Sequence, residues 1–483
     1  MGIASQGNII RILSGHNLWW QMKAVQKQFL KPTKRTAFRE IMNLVHGGQI
    51  RTIYAVGPHR TGKTALLHQI VQQLIDEGVD PKEILYINFL HPFFNFLSLN
   101  DFYAAYNENI RPYETHRIYL LIDDYQLSPE WEKRIAQLSK ENPELTIIAS
   151  GSILPEKLPD NSRQVNITPL SLYEYTQIAL GEEKIAPDDI IPECGVLKGS
   201  PAELSRISKH VAKFRQEYTR YLYTGGFLNL IGVSDDIKIQ RMIQKSVVGS
   251  AMQDIGRCFN VRSSVDMEKI FLYLCFQCPS VVSFEAVMRD IDCVTRPTIE
   301  KYVQYLEKSC LLYQCMPYEF NNDNVQKVQP KIYLADAAIT SSLLMMDDVR
   351  IREDAVSKIV ETAVYRHLRF FGPYSDEGSI TYQRGKGSGK NIDMILNGPR
   401  RIFIDVRYEN EIRFSRKDSI LAKSSEADLG LIITKPGGKF GFSSSLPENV
   451  FCIPANIFLF LIGHAKAEEK SFLDGILMAF RYY

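Results

Sequence analysis

The sequence carries almost no net charge: 57 Lys and Arg stand against 55 Asp and Glu, leaving +2 over 483 residues. That balance excludes a chain that holds polyanions through its overall charge. Cysteine is sparse. The eight are scattered, mostly inside apolar segments, which excludes a disulfide scaffold and fits buried thiols in a reducing compartment. Cys275 and Cys278 form a C-x-x-C pair with no second pair at metal spacing, and read as helix core. No leader-like run opens the sequence, and the longest late apolar run, 457–462, is too short to span a bilayer and reads as core. The expectation is a soluble, cytoplasmic protein without membrane contact. The length suggests about three domains, and a hydrophobic fraction of 45% is enough for ordinary cores.

Against these absences stands one dense motif. Gly57, Pro58, His59, Arg60, Thr61, Gly62, Lys63 and Thr64 fit G-x-x-x-x-G-K-[S/T]. An apolar run, 53–56, precedes it as a buried strand. An amphipathic run follows, with Leu67, Ile70, Val71 and Leu74 at helical spacing and Gly78 as a stop. Strand, loop and helix in that order are the context a phosphate-binding loop requires. The glycines let backbone N–H groups face phosphates, and the helix adds its positive end. Lys63 would reach the β- and γ-phosphates of ATP, and the Thr64 hydroxyl would ligate Mg²⁺.

Residues 49–180 alternate strand and helix, with strands expected at 53–56, 84–89, 118–122, 146–149 and 165–167. Such alternation argues for an α/β fold with a parallel sheet covered on both faces and ligands at the carboxyl strand ends. The third strand ends in Asp123-Asp124, an apolar run closed by acids. Asp123 would hold Mg²⁺, and Asp124 is the candidate base for an attacking water. Sixty residues separate Lys63 from Asp123, room for one intervening strand and helix, a spacing that fits the P-loop branch with an extra strand between the two motifs. Asp124 is one methylene shorter than a Glu, so slow hydrolysis is expected; a displacement of ~1 Å costs up to ~10²-fold. Ser150 ends the fourth strand and is the candidate γ-phosphate sensor, with Ser152 second and a plain turn the alternative. Arg163, read in the loop before Val165, is a candidate arginine finger in its own or a neighbouring subunit, or a surface residue.

Ahead of this core, residues 1–48 form a helical segment in which Trp19 and Trp20 read as packing against it. Residues 181–235 read as a small helical lid, with a loop at Pro187, Asp188, Asp189 and Pro192 and a turn or hinge at Gly225-Gly226. Residues 236–335 read as a winged helix: helices at 267–276, after Ser283 and after Thr295, strands at 311–315 and 331–334, and a wing loop at 319–330. The third helix exposes Arg296, Glu300, Lys301, Gln304, Glu307 and Lys308, a mixture that suits packing or DNA contact.

Residues 336–483 hold a second set of charged groups: Glu361 on a helix, Asp393 in a strand, and Asp405-Val406-Arg407 closing another. Alternation puts Asp405 and Arg407 on one face. Clustered carboxylates with a cation are what a restriction-type nuclease needs to hold Mg²⁺ and steady a scissile phosphate. Here the cation is Arg where that pattern has Lys. Arginine stays charged and cannot shuttle a proton, though it still pairs with phosphate. Residues 384–417 hold nine basic residues against four acidic, and 385–389 read as a flexible basic loop.

Several stretches together resemble one family. They are Asn17-Leu18-Trp19-Trp20, the phosphate loop, Leu121–Gln126 with Trp131, Ser150-Gly151-Ser152, Arg163, Pro169–Tyr175 and Gly225-Gly226-Phe227. In that order the chain is similar to AAA-type P-loop ATPases of bacteria and archaea that carry a winged helix and a C-terminal PD-(D/E)XK nuclease-like domain. The resemblance implies ATP and Mg²⁺ as cofactors and ATP hydrolysis as the activity. DNA, through the C-terminal domains, and a second copy of the chain are the candidate partners. Three functions remain open at this point: an ATP-driven switch or remodelling ATPase, an ATP-regulated Mg²⁺-dependent DNA nuclease, and a non-hydrolysing ATP-binding scaffold for nucleic acid or protein.

Overall fold

The computed structural model describes residues 5–113, 117–181, 200–291, 295–318, 329–343, 353–372, 378–384, 391–398, 400–409, 412, 414–415 and 418–467. The chain divides into two compact units. The first comprises Met1–Thr168, Gly249–Val261 and Lys308–Cys310; the second comprises Pro169–Val248, Arg262–Glu307 and Leu311–Tyr483.

The first unit is built on five parallel strands, β1 (Thr52–Val56), β2 (Ile84–Asn88), β3 (Ile118–Asp123), β4 (Leu145–Gly151) and β5 (Ser162–Asn166), in the order β2-β3-β4-β1-β5. The expected α/β alternation is therefore present; β2 intervenes between the two motifs along the chain, while in the sheet it is β4 that stands between the strands carrying them. β1, β3 and β4 are buried throughout, because helices cover both faces and leave no side for alternating polar residues. On one face the helix Lys63–Asp76 buries Leu67, Ile70, Val71 and Leu74 with Ile41, Val45 and Trp19. On the other, the helices Gln6–His16, Leu99–Asn109 and Trp131–Glu141 enclose Tyr54, Ile87, Phe102 and Ile135. Trp19 and Trp20 both donate their indole N–H to the Ile84 carbonyl, at 3.2 and 2.9 Å, so the pair packs on β2. β5 begins earlier than the sequence suggests. Arg163 lies within it, opposite Ile53, because pairing to β1 extends the strand toward its polar start.

The second unit carries an eight-stranded mixed sheet. Its strands are β6 (Ser280–Val281), β7 (Leu312–Pro317), β8 (Lys331–Leu334), β9 (Ile380–Gln383), β10 (Ile392–Leu396), β11 (Ile402–Arg407), β12 (Leu429–Thr434) and β13 (Val450–Pro454), ordered β13-β12-β11-β10-β9-β7-β8-β6. β7 pairs antiparallel with β8 and, through Met316 and Pro317, parallel with β9. One sheet thus runs through the stretches 236–335 and 336–483. The helix Ala455–Ala467 is buried almost end to end, as its apolar run requires. Gly463 lets it approach the start of the helix Leu172–Leu180: a Cβ there would come within 2.8 Å of the Ser171 hydroxyl oxygen. Ser171 and Glu174 form a capping box on that helix. Arg366, from the helix Glu353–Phe371, is fully buried and donates to the Pro169 and Leu170 carbonyls at 2.5 and 3.1 Å. The quoted stretch 169–175 is therefore held in the second unit.

Gly225 and Gly226 form a close approach, with the Gly226 N–H donating to Asp336 at 3.0 Å. No described helix is long and apolar enough to cross a membrane. The expected loop at 187–192, most of the wing loop and the basic loop 385–389 lie outside the described residues. All six described cysteines are free thiols, five of them buried.

Candidate active site

The phosphate loop leaves β1 at Gly57, whose N–H donates to the Gly151 carbonyl at 3.1 Å. A Cβ at position 57 would lie 2.0 Å from the Ile167 carbonyl oxygen, so only glycine fits. The loop turns through positive φ at Arg60 (67°) and Gly62 (93°) and enters the 14-residue helix at Lys63. Thr61 donates to the Pro58 carbonyl at 2.9 Å, and Arg35 donates to the Thr61 carbonyl at 2.8 Å, bracing the loop from both sides. The Lys63 ammonium is buried and donates to the Gly57 and Pro58 carbonyls, both at 2.8 Å. Burial lowers its pKa, while Asp124 and Asp123 act in the opposite direction. Thr64, in the first helical turn, is exposed.

The acid pair closes β3. The Asp123 carboxylate accepts from the Tyr86 hydroxyl at 3.0 Å and, in close contact, from Ser150. Asp124 adopts the left-handed conformation, φ 55°, which Asp tolerates better than most residues. Burial, and then the neighbouring Asp123 charge, push its carboxyl up to about 6, against the pull of Lys63 and His59. A carboxyl titrating there is suited to general-base work near neutral pH.

Lys63, Asp123, Asp124 and Ser150 are thus brought to one end of the sheet. Arg163 is not: it is exposed and stands opposite Ile53, four residues before Gly57, about 13 Å along the strand direction. Three neighbours to which the sequence assigns no role complete the arrangement. Tyr86 binds Asp123. Gln126 donates to Asp124 at 3.2 Å and to Asp254 at 3.0 Å. Asp254, on the helix Ser250–Cys258, also accepts from His59 at 2.8 Å and, in close contact, from Ser152. Two residues after an acid pair, Gln126 was open to detection; Asp254, 195 positions from His59, left no local signal.

The residues present fit a magnesium–nucleoside triphosphate. The loop's backbone donors precede a long helix, position 57 tolerates no side chain, a buried ammonium faces the loop, and a carboxylate and a hydroxyl stand at the ends of β3 and the loop. Strand order, loop and acid pair together define a P-loop nucleotide-binding unit.

The second unit brings its four predicted groups together around a fifth. Lys331, on β8, lies 2.6 Å from Glu361 and 3.0 Å from Asp393 with its side chain 5% exposed. Tyr333, two residues on, donates to Glu361 at 2.9 Å and stacks on Tyr365. The Val406 N–H donates to Asp393 at 3.0 Å, and Arg407 pairs with Asp405 at 2.5 Å and stands 3.8 Å from Asp418. Asp393 and Asp405 lie close enough for each to shift the other's pKa. Burial and Asp393 hold the Asp405 carboxyl well above the carboxylate range, while Lys331 and the Val406 N–H outweigh burial to lower Asp393. Burial and Asp393 push Glu361 up to about 7. Among the described residues no group of three or more His, Cys, Asp or Glu is arranged to hold a metal ion. The carboxylates here face Lys331, Arg407 and each other. The sequence marks Lys331 only as the start of a strand, because its partners lie 30 and 62 residues away.

Comparison with known proteins agrees with the first unit. Residues 49–176 match the family model described as "AAA domain". Residues 215–350 match a domain of unknown function (DUF8612). An uncharacterized protein of Haemophilus influenzae is 24% identical over 293 residues, covering 58% of this chain; the match spans 66% of that relative's length. Among solved structures, a Walker-type ATPase of Pyrococcus abyssi aligns over 65% of this chain and 99% of its own, with 12% identity and a TM-score of 0.36. Cdc6p of Pyrobaculum aerophilum aligns over 68% of this chain and 99% of its own, with 15% identity and a TM-score of 0.27. At such scores the fold rests on the strand order and loop described above.

Proposed function

We propose that this chain is an ATP-hydrolysing AAA-type switch or remodelling ATPase whose second unit responds to nucleotide state. The observation that carries it is the convergence of Lys63, Asp123, Asp124 and Ser150 at the carboxyl ends of β1, β3 and β4. The loop N–H groups bind the phosphates. Lys63 leaves the Gly57 and Pro58 carbonyls to meet phosphate charge. Thr64 and Asp123 would hold Mg²⁺, which would supply charge neutralisation on the phosphates. Asp124 orients a water and accepts its proton as the water oxygen bonds to the γ-phosphorus and ADP leaves with the bridging oxygen. Arg163 stands away from its own chain's site, which leaves it a neighbouring subunit's site or a plain surface position. Phosphate release from wild type and Lys63→Ala tests the reading: a fall of ~10²-fold or more is expected, and equal release from both refutes it.

A second reading, a Mg²⁺-dependent DNA nuclease at Glu361, Asp393, Asp405 and Arg407, rests on the convergence of these groups with Lys331, although their carboxylates are paired with Lys331 and Arg407 rather than arranged around a metal position. Plasmid nicking with Mg²⁺ or Mn²⁺, comparing wild type with Asp393→Ala, decides it; absence of metal-dependent cutting removes it.

A further inference from the structure

We infer that Asp254 is a positioning residue for ATP hydrolysis, fixing the amide of Gln126 and through it the candidate base Asp124. This rests on the ATPase reading above. The geometry follows from what each group can donate. A carboxylate only accepts, so Gln126, lying between the carboxylates of Asp124 and Asp254, must turn its NH₂ toward both. Its oxygen is then left to accept from the Ser152 N–H, at 3.2 Å. Without Asp254, one of three partners that fix this orientation is lost and the amide is free to rotate. The bond it makes to Asp124 then weakens, at a residue already held in a sparsely populated backbone conformation.

The same carboxylate gathers three segments of the nucleotide site. His59 belongs to the phosphate loop, Gln126 follows the acid pair, and Ser152 lies two residues beyond Ser150, which binds Asp123. Asp254 is buried, and all three partners are donors. Burial alone would raise its pKa; the bonds from His59, Ser152 and Gln126 outweigh that and keep it ionised. Asp254 follows the AAA-matched stretch by more than seventy residues, and its bonds run to the side chains of His59, Gln126 and Ser152, so its role is exercised through them. One turn further along the same helix, the Cys258 thiol donates to the Gln126 carbonyl at 3.5 Å. That thiol therefore reports whether the helix stays seated on the Gln126 turn. Cys275 and Cys278, buried in the second unit, report folding.

The test is Asp254→Asn in the full chain, read three ways: steady-state ATP turnover, binding of a fluorescent N-methylanthraniloyl ATP, and alkylation of individual cysteines by N-ethylmaleimide followed by peptide mass spectrometry. The expected result is a turnover number lower by about tenfold or more with affinity within about threefold, the signature of lost positioning rather than lost binding. Cys258 is expected to react about fivefold faster or more, while Cys275 and Cys278 stay protected. Gln126→Leu should match the turnover loss, and the double variant should lose no more than the deeper single one, because both act along one path. Unchanged turnover, affinity falling as far as turnover, additive losses in the double variant, or Cys258 reacting as slowly as in wild type each overturn the inference. If wild type hydrolyses ATP no faster than Lys63→Ala, the ATPase reading fails on its own. The Cys258 measurement then decides whether Asp254 holds the Gln126 turn.

Discussion

Replacing Lys331 with Met leaves two buried carboxylates without their shared cation. The ammonium stands 2.6 Å from Glu361 and 3.0 Å from Asp393, and the three side chains are only 5, 13 and 16% exposed. Removing one partner of such a pair costs about 3–5 kcal/mol, because the remaining charge is buried and uncompensated. For a unit of this size that corresponds to roughly 10 °C in melting temperature. The loss depends on pH, with a definite sign. Without the ammonium, both carboxyls take folded-state pKa values above their unfolded ones. The native state then holds more protons than the unfolded chain, and stability falls as pH rises through that window. Glu361 is already pushed up to about 7 with Lys331 present. The Lys331→Met deficit should therefore be near its full size at about pH 8 and shrink to roughly 1–2 kcal/mol at about pH 5.5. Thermal unfolding followed by circular dichroism at both pH values measures it, and Lys331→Met/Glu361→Gln should recover about half of the loss or more. A deficit below about 1 kcal/mol at the higher pH, or one equal at both, refutes the claim that Lys331 neutralises this cluster.

Two further outcomes follow from the nucleotide site. Asp124→Asn should lower turnover by about 10²-fold while leaving nucleotide affinity within a few-fold, since general-base removal acts on the transition state. In wild type, turnover should rise as pH rises through about 6, the value to which burial and Asp123 push Asp124, because the base must be ionised; the variant should lack that limb. Arg163→Ala should not change single-chain nucleotide affinity, since the residue stands opposite Ile53 and is exposed. If Arg163 completes a neighbour's site, specific activity should climb with protein concentration in wild type and stay flat in the variant; flat curves in both remove that role.

Much of the nucleotide site was legible because its pieces are local. A strand, a glycine loop and a helix occupy adjacent positions from Thr52 to Asp76, and their apolar periodicity and backbone needs are written into neighbouring residues. Asp123 and Asp124 announced themselves in the same way, as acids closing an apolar strand. The mostly polar run Ser162–Asn166 reads as a loop around Arg163, and only pairing with β1 makes it a strand. The charged groups of the second unit could be picked out one at a time. That Lys331, rather than Arg407, stands between Glu361 and Asp393 depends on β7 pairing with both β8 and β9, which brings β8 near β10.

The sequence by itself determined the phosphate loop, the acid pair, the parallel α/β core and the identities of four groups that meet in the second unit. These depend on short-range spacing, which fixes backbone conformation and the face a side chain takes. Tertiary structure alone decided who partners whom: Asp254 with His59, Gln126 and Ser152, and Lys331 with Glu361 and Asp393. The physical reason is that a buried charge takes its partner from whatever the packed elements bring within hydrogen-bond reach. Those partners lie from 30 to 195 residues away along the chain.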